Sequence, residues 1–463
     1  MPPKSLKPLI SWVGVTACLL LTLNPVIAQP TPVPETQELL NGLKILFWPQ
    51  PGSPDVLVKL RIHSGSAFDL SGKAGEMALL GDILFPNPET LDYFTEQMGG
   101  KLSVSVNYDS ITVTMLGKAE QLNNILEVLR SAILSTQFAP EVVARVREAR
   151  IKMVKDTAVS PAVVADRAIA SRLFGTFPYG RPSAGTTEEL SRIDRVDLML
   201  ARERFLNSNN ATLAIVGGVS QNRAMRTLKQ LLGPWRRSET IVPATFTAPK
   251  TPDPRVLIVN VPSPTSEVRL AVRGVSRADQ QFYAGLVLAR IAQYRWQDTT
   301  PELASKPVSV RSEGYTLPGY FVMSVAVNAT EALGSVLNAK KVLDSLMISP
   351  ATGAEIDRAK REILSDLNSK FSSLEAGPDA WLDADTYRFG AIEDRSALIQ
   401  TISAADVQRL ASRLFKDTPI ATVIVGDSAQ LKGALEGKLS FEILGEAPKP
   451  IAPAKTPRPT SPS

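Results

Sequence analysis

One histidine, His63, and one cysteine, Cys18, are the only imidazole and thiol in this 463-residue chain. Structural zinc sites take four Cys/His ligands and catalytic ones three protein ligands, so this supply excludes the usual zinc centre. Cys–His catalysis goes with it, and a Ser–His–Asp arrangement would have to use His63 as its base. His63 closes the alternating run Leu60-Arg61-Ile62-His63, which predicts a strand carrying the imidazole on its more polar side. Three acids stand near it in sequence: Asp69, Glu76 and Asp82. Glu76 and Asp82 are six apart, not on one helix face, and Gly81 falls between them, so a hard cation would need a loop to bring the three together. Two readings stay open for these residues, solvated surface acids or an atypical metal set of His63, Glu76 and Asp82. Walker-type, dinucleotide-type, G-x-S-x-G and S-x-x-K motifs are absent, which leaves nucleotide binding and common serine hydrolysis without support.

The elements that must position these residues fall into a leader, two similar halves and a tail. Lys4 and Lys7, the apolar run from Leu9 to Leu23 and Val26-Ile27-Ala28 predict a secretory signal over 1–28, and so an exported protein. A second cut lies at Cys18, where Val15-Thr16-Ala17-Cys18 resembles a bacterial lipobox and would leave a membrane anchor on that cysteine; a retained leader is the third reading. No apolar stretch of spanning length follows, so no transmembrane span is expected in the mature chain. Cleavage after Ala28 removes the only cysteine and lowers the formal charge from +5 to +3, with both signs well mixed, so neither a disulfide framework nor a nucleic-acid footprint is expected.

Residues 29–36 read as a flexible entry and 441–463 as a disordered Pro-rich tail. A proline-rich linker over 242–255 separates 37–241 from 256–440. Strand-like Val56–Ile62 is echoed by Glu267–Val272, Ile111–Met115 by Tyr320–Val325, and the buried run Ala211–Val216 by Ile420–Val425. Amphipathic helices follow at Ala119–Leu134 and Glu331–Met347. This order predicts a duplicated α+β unit.

The passage Phe177-Pro178-Tyr179-Gly180-Arg181-Pro182-Ser183-Ala184-Gly185-Thr186, continuing through Leu190, Ile193, Asp197, Phe205, Asn207 and Asn210 into Leu213–Gly218, resembles the M16 metallopeptidases, the pitrilysin, insulinase and mitochondrial-processing-peptidase group. Ser64-Gly65-Ser66 with Gly72 and Ala74 is similar to that family's approach to its active-site helix. The resemblance implies two M16-like domains, each a mostly antiparallel sheet covered by helices, facing across a chamber. It also implies an H-x-x-E-H helix, yet alignment on Gly72-Lys73-Ala74 puts Gly75, Ala78 and Leu79 at the histidine, glutamate and histidine positions, and Lys152 at the third ligand. No zinc or other cofactor is therefore expected in this chain.

Family members without zinc chemistry pair with a catalytic subunit, so the expected partners are an H-x-x-E-H-bearing M16 subunit and an extended peptide. Arg295 matches the arginine of the family's substrate-holding Arg–Tyr pair, while Val308 falls at the tyrosine position and Tyr315 or Tyr320 would need a shifted loop. Leu102, Ser103, Val104, Ser105 and Val106 correspond to the edge strand that binds peptide by strand addition, and their alternation fits a half-exposed strand. An inactive homologue acting as a non-catalytic subunit or peptide-binding partner is the reading this gives; an active peptidase with atypical ligands and a stand-alone envelope scaffold are its rivals.

Overall fold

The computed structural model describes residues 33–136, 138–300, 303, 305–371, 377–389 and 394–444; the expected signal over 1–28, Cys18 and the residues beyond 444 lie outside the described residues. Two six-stranded sheets carry the fold, in the orders β1-β2-β6-β3-β5-β4 and β12-β7-β11-β8-β10-β9. The first is built from β1 (Glu35–Glu38), β2 (Lys44–Pro49), β3 (Asp55–Ile62), β4 (Lys101–Val106), β5 (Ile111–Lys118) and β6 (Ala211–Gly217). The second takes β7 (Val256–Asn260), β8 (Ser266–Arg273), β9 (Ser309–Glu313), β10 (Tyr320–Val327), β11 (Ala421–Gly426) and β12 (Phe441–Ile443).

Five strands of each sheet share one order, so the duplication read from the sequence is real in space, with β3, β5 and β6 echoed by β8, β10 and β11. The sixth strand comes from opposite ends: β1 pairs antiparallel with β2, and β12 pairs parallel with β7. Both sit where no sheet was expected. β1 begins inside the supposed flexible entry and β12 inside the supposed tail, because each needs only a few backbone hydrogen bonds to a sheet edge, not an apolar face of its own.

Helices α1 (Glu76–Asp82), α2 (Pro88–Asp92), α3 (Leu122–Leu134), α4 (Pro140–Thr157), α5 (Pro161–Phe174), α6 (Thr187–Leu190), α7 (Arg195–Phe205) and α8 (Gln221–Leu232) belong to the first half. The second half adds α9 (Phe282–Thr299), α10 (Ala332–Ile348), α11 (Gly353–Phe371), α12 (Asp379–Thr386), α13 (Arg395–Thr401), α14 (Ala404–Phe415) and α15 (Ser428–Leu435). The alternation along β3 sorts its residues: Val56, Val58, Leu60 and Ile62 join the core under the first half's own helices, while Leu57 faces the other way.

That other face is covered by a helix from the opposite half. Leu382 of α12 is buried among Leu46, Trp48, Leu57, Ala214 and Val216 of the first sheet. In return α5 lays Ala165, Ile169 and Leu173 on Ala271, Ala421 and Val423 of the second. This exchange leaves both central strands apolar on both faces, which is why β6 and β11 read as unbroken buried runs and not as alternating ones. The halves face each other with α5 and α12 crossing between them, and a cavity of about 420 Å³ lined by residues of both halves, among them His63, Asp109, Thr316 and Asp385, remains at the junction.

Candidate functional site

Helix α1 is where the family's ligands should stand, and its start is held by the loop before it. Asp69 accepts hydrogen bonds from the backbone N–H of Gly75 at 2.7 Å and of Met77 at 2.8 Å, and Glu76 accepts one from Leu70 at 3.0 Å. Burial pushes Asp69 up to about 8 against those two donors, and raises Glu76 as well. Arg181 clasps the loop from outside through the Asp69 carbonyl at 2.8 Å, and Lys73 pairs with Asp197 of α7.

Gly75 caps α1 with φ of +95°, a left-handed conformation that disfavours any side chain. A Cβ there would lie 2.7 Å from Leu190 Cδ2 and 2.9 Å from Gly185 Cα, so no first ligand fits. Ala78 and Leu79 are each 1% exposed, and Leu79 is packed in the first half's core. Lys152 does not approach the helix: its side chain is 79% exposed and pairs with Asp156 one turn along α4. The α4 residue that reaches α1 is Arg150, whose Nε donates to Asp82 Oδ2 at 2.7 Å and whose Nη2 lies 3.4 Å from the Ala78 carbonyl. The third-ligand neighbourhood therefore holds a fixed guanidinium, two residues before the position read in sequence. Gly75, Ala78 and Leu79 carry no zinc-ligating side chain, and the Arg150 guanidinium, paired with Asp82, is not a ligand either.

Beside this helix β4 ends the sheet, paired only with β5. Leu102 is buried and Val104 and Val106 half-buried, while Ser103 and Ser105 are exposed, as the alternation required. α1 sits tightly on this strand, since a Cβ at Gly81 would come within 2.9 Å of Val106 Cγ2 and 3.3 Å of Val104 Cγ1.

His63, Glu76 and Asp82 do not come together. His63 lies at the junction of the halves, with Nδ1 2.9 Å from Thr386 Oγ1 and Nε2 3.0 Å from Thr212 Oγ1, which in turn donates to Asp385 at 2.8 Å. Burial lowers its pKa to about 4, with Asp385 opposing and Arg61, Lys44 and Arg388 assisting. Among the described residues no group of three or more His, Cys, Asp or Glu side chains is placed to hold a metal.

Arg295 is committed elsewhere than to a ligand. It pairs with Glu355 through Nε at 2.7 Å and Nη2 at 3.1 Å and reaches the Ser349 carbonyl beyond the end of α10, a brace at a helix terminus in place of the substrate contact expected of it. Val308 is buried. Tyr315 packs edge-on against Tyr108 and tilted against Tyr179, with ring centres 5.1 and 4.8 Å away, and its hydroxyl donates to Glu313 at 2.6 Å. Tyr179, from the Pro178-Tyr179-Gly180 turn, accepts a hydrogen bond from the Leu317 N–H, so that turn joins the two halves.

Sequence reasoning missed the charged seam beneath α12. Asp379 pairs with Lys59 and Arg61 at 2.8 and 2.9 Å, Asp383 with Arg61 at 2.6 Å, and Asp385 with Lys44 at 2.7 Å. The signal was present: Lys59, Arg61 and His63 occupy successive same-face positions, a basic stripe on a strand whose neighbours are apolar.

Two helix-covered sheets that exchange a helix, with an open edge strand beside a short helix, define a bilobed α+β scaffold. The family model described as "Insulinase (Peptidase family M16)" matches residues 44–187, and "Peptidase M16 inactive domain" matches residues 192–363. The chain belongs to peptidase family M16. It is 22% identical over 436 residues to the "Probable mitochondrial-processing peptidase subunit beta" of Schizosaccharomyces pombe, covering 89% of this chain and 93% of that one. A solved protease from Helicobacter pylori superposes with a TM-score of 0.79 at 17% identity, over 86% of this chain and 100% of the other. A peptidase M16 inactive domain from Pseudomonas fluorescens gives 0.76 at 18%, over 85% and 98%.

Proposed function

We propose that this chain is a non-catalytic M16 subunit, exported from the cytoplasm, that binds extended polypeptide and works beside a zinc-bearing M16 partner. One observation carries the reading. The ligand positions are occupied by Gly75, Ala78, Leu79 and, across from them, Arg150, whereas the β4 edge stays open. Strand addition uses backbone hydrogen bonds, so a peptide cradle survives the loss of every zinc ligand. The partner would supply the metal, the activated water and the general base, and this chain would hold peptide and complete the assembly. That a relative matched over 93% of its length is described as a subunit supports the partnership.

Metal analysis of the purified chain, together with hydrolysis assays on unstructured peptides, tests the absence of catalysis. The expected result is no stoichiometric zinc and no turnover; one equivalent of tightly held zinc overturns it. Gentle capture of the chain from its native envelope extract tests the partnership. A stoichiometric companion carrying H-x-x-E-H supports it, and recovery of the chain alone, where other envelope complexes survive, overturns it.

A further inference from the structure

We propose that the groove beside β4 selects extended polypeptide carrying an apolar anchor flanked by carboxylates. The inference rests on the peptide-binding reading above and adds the chemistry of the ligand. A cavity of about 560 Å³ opens between the Leu102–Val104 stretch of β4, the end of α1, α2 and α4. Its walls include Phe85, Leu91, Val146 and Met153. Leu91 is 42% and Met153 43% exposed, so large apolar side chains face water next to an unpaired strand edge. A strand added to β4 would lie about 4.8 Å from it and turn alternate side chains toward the helix layer that forms this cavity.

The helix wall sets the order of groups along such a strand. Arg145, Ala149 and Met153 are spaced by four residues on one face of α4, about 6 Å apart at 1.5 Å per residue. Same-side residues of an extended peptide repeat at about 7 Å, nearly the same interval. Ala149 and Met153 offer the apolar seat, and Arg145 stands one helical turn further along the same wall. Arg145 is exposed and hydrogen-bonds the Asn87 side chain at 2.8 Å, a partner that carries no charge of its own. Arg150, also in the wall, is matched by Asp82. α4 as a whole carries five basic and three acidic residues, so a carboxylate is the favoured neighbour.

The test compares two labelled seven-residue peptides, Thr-Glu-Thr-Phe-Thr-Glu-Thr and its counterpart with Lys for Glu, binding to the full chain by fluorescence anisotropy. The Glu peptide should bind about five- to tenfold tighter at low ionic strength, with the gap closing as salt screens the exposed charges. Arg145→Glu should reverse the preference, and Met153→Glu should weaken the Phe peptide relative to one with Ala at that place. Both sites are exposed, and an unchanged thermal midpoint checks the fold. Replacing Phe by benzoylphenylalanine should crosslink to α2 or α4. Equal or tighter binding of the Lys peptide, indifference to Arg145→Glu, or crosslinks outside the groove overturn the inference and leave peptide binding standing. No binding of either peptide overturns both.

Discussion

The Arg150 guanidinium lies 2.7 Å from the Asp82 carboxylate and joins α4 to α1 beside the positions that the sequence resemblance assigns to metal ligands. The Arg150 side chain is 13% exposed and Asp82 33%, so the pair is screened only in part. A double-mutant cycle on Arg150→Met and Asp82→Asn should return a coupling of about 1 kcal/mol in denaturant unfolding, with each single change costing about 1–2 kcal/mol. Additivity would show that the contact fixes no structure.

Rebuilding the family's ligands should fail on steric grounds before any question of metal arises. Gly75→Ala meets both a left-handed backbone and contacts under 3.0 Å, and should cost about 2–4 kcal/mol. Gly72, with φ of +77° and open space around it, is the control and should cost only about 1 kcal/mol on substitution by Ala. The triple change Gly75→His, Ala78→Glu, Leu79→His should yield misfolded protein; a soluble, zinc-loaded product would contradict the packing described at α1.

His63 gives the cleanest pH signature, because no other histidine competes with its signal. Its folded pKa of about 4 lies below the ordinary 6.5, so between those values the unfolded chain binds the extra proton. Stability from this site is complete above pH 6.5 and is lost as pH falls through 4, by up to about 3 kcal/mol. The groups that face it are Asp385, Arg61, Lys44 and Arg388, with the Thr212 and Thr386 hydroxyls in contact. An imidazole resonance still titrating near 6.5 in the folded protein would refute the burial on which this rests.

The exchanged helix α12 should be essential to the first half's integrity. Leu382→Ala removes a fully buried side chain and should cost about 2–4 kcal/mol. Asp383→Ala takes a carboxylate from both Arg61 and Arg395, and should speed amide hydrogen exchange in β3 and β6 of the first half while leaving β8 and β10 of the second unchanged. Uniform acceleration across both sheets would mean that the two halves open as one unit.

What could be read directly from the residues was local and periodic. The alternation of β3 and β4, the unbroken apolar runs of β6 and β11, the helices over residues 122–134 and 332–348, and the duplication itself were all legible, because a period of two or 3.6 reports which face is buried. So was the poverty of ligands, since a count of one histidine needs no fold. The family passage from Phe177 to Gly218 was legible too, although not that its Tyr179 turn would join the two halves.

The tertiary structure decided the rest. Periodicity says that a face is covered but not by what, so the exchange of α5 and α12 and the ion pairs of Asp379, Asp383 and Asp385 with strand residues more than 300 positions away could not be inferred. Each residue along α4 rotates the helix by about 100°, so two positions separate opposite sides, which sequence spacing leaves open; packing turned Arg150 inward to Asp82 and left Lys152 in water. Arg295 carried the right side chain for a ligand, and only the position of Glu355 showed that its hydrogen bonds were already taken. Residue types determined which chemistry this chain lacks. Which charges were left free to meet a partner depended on distances between residues remote in sequence.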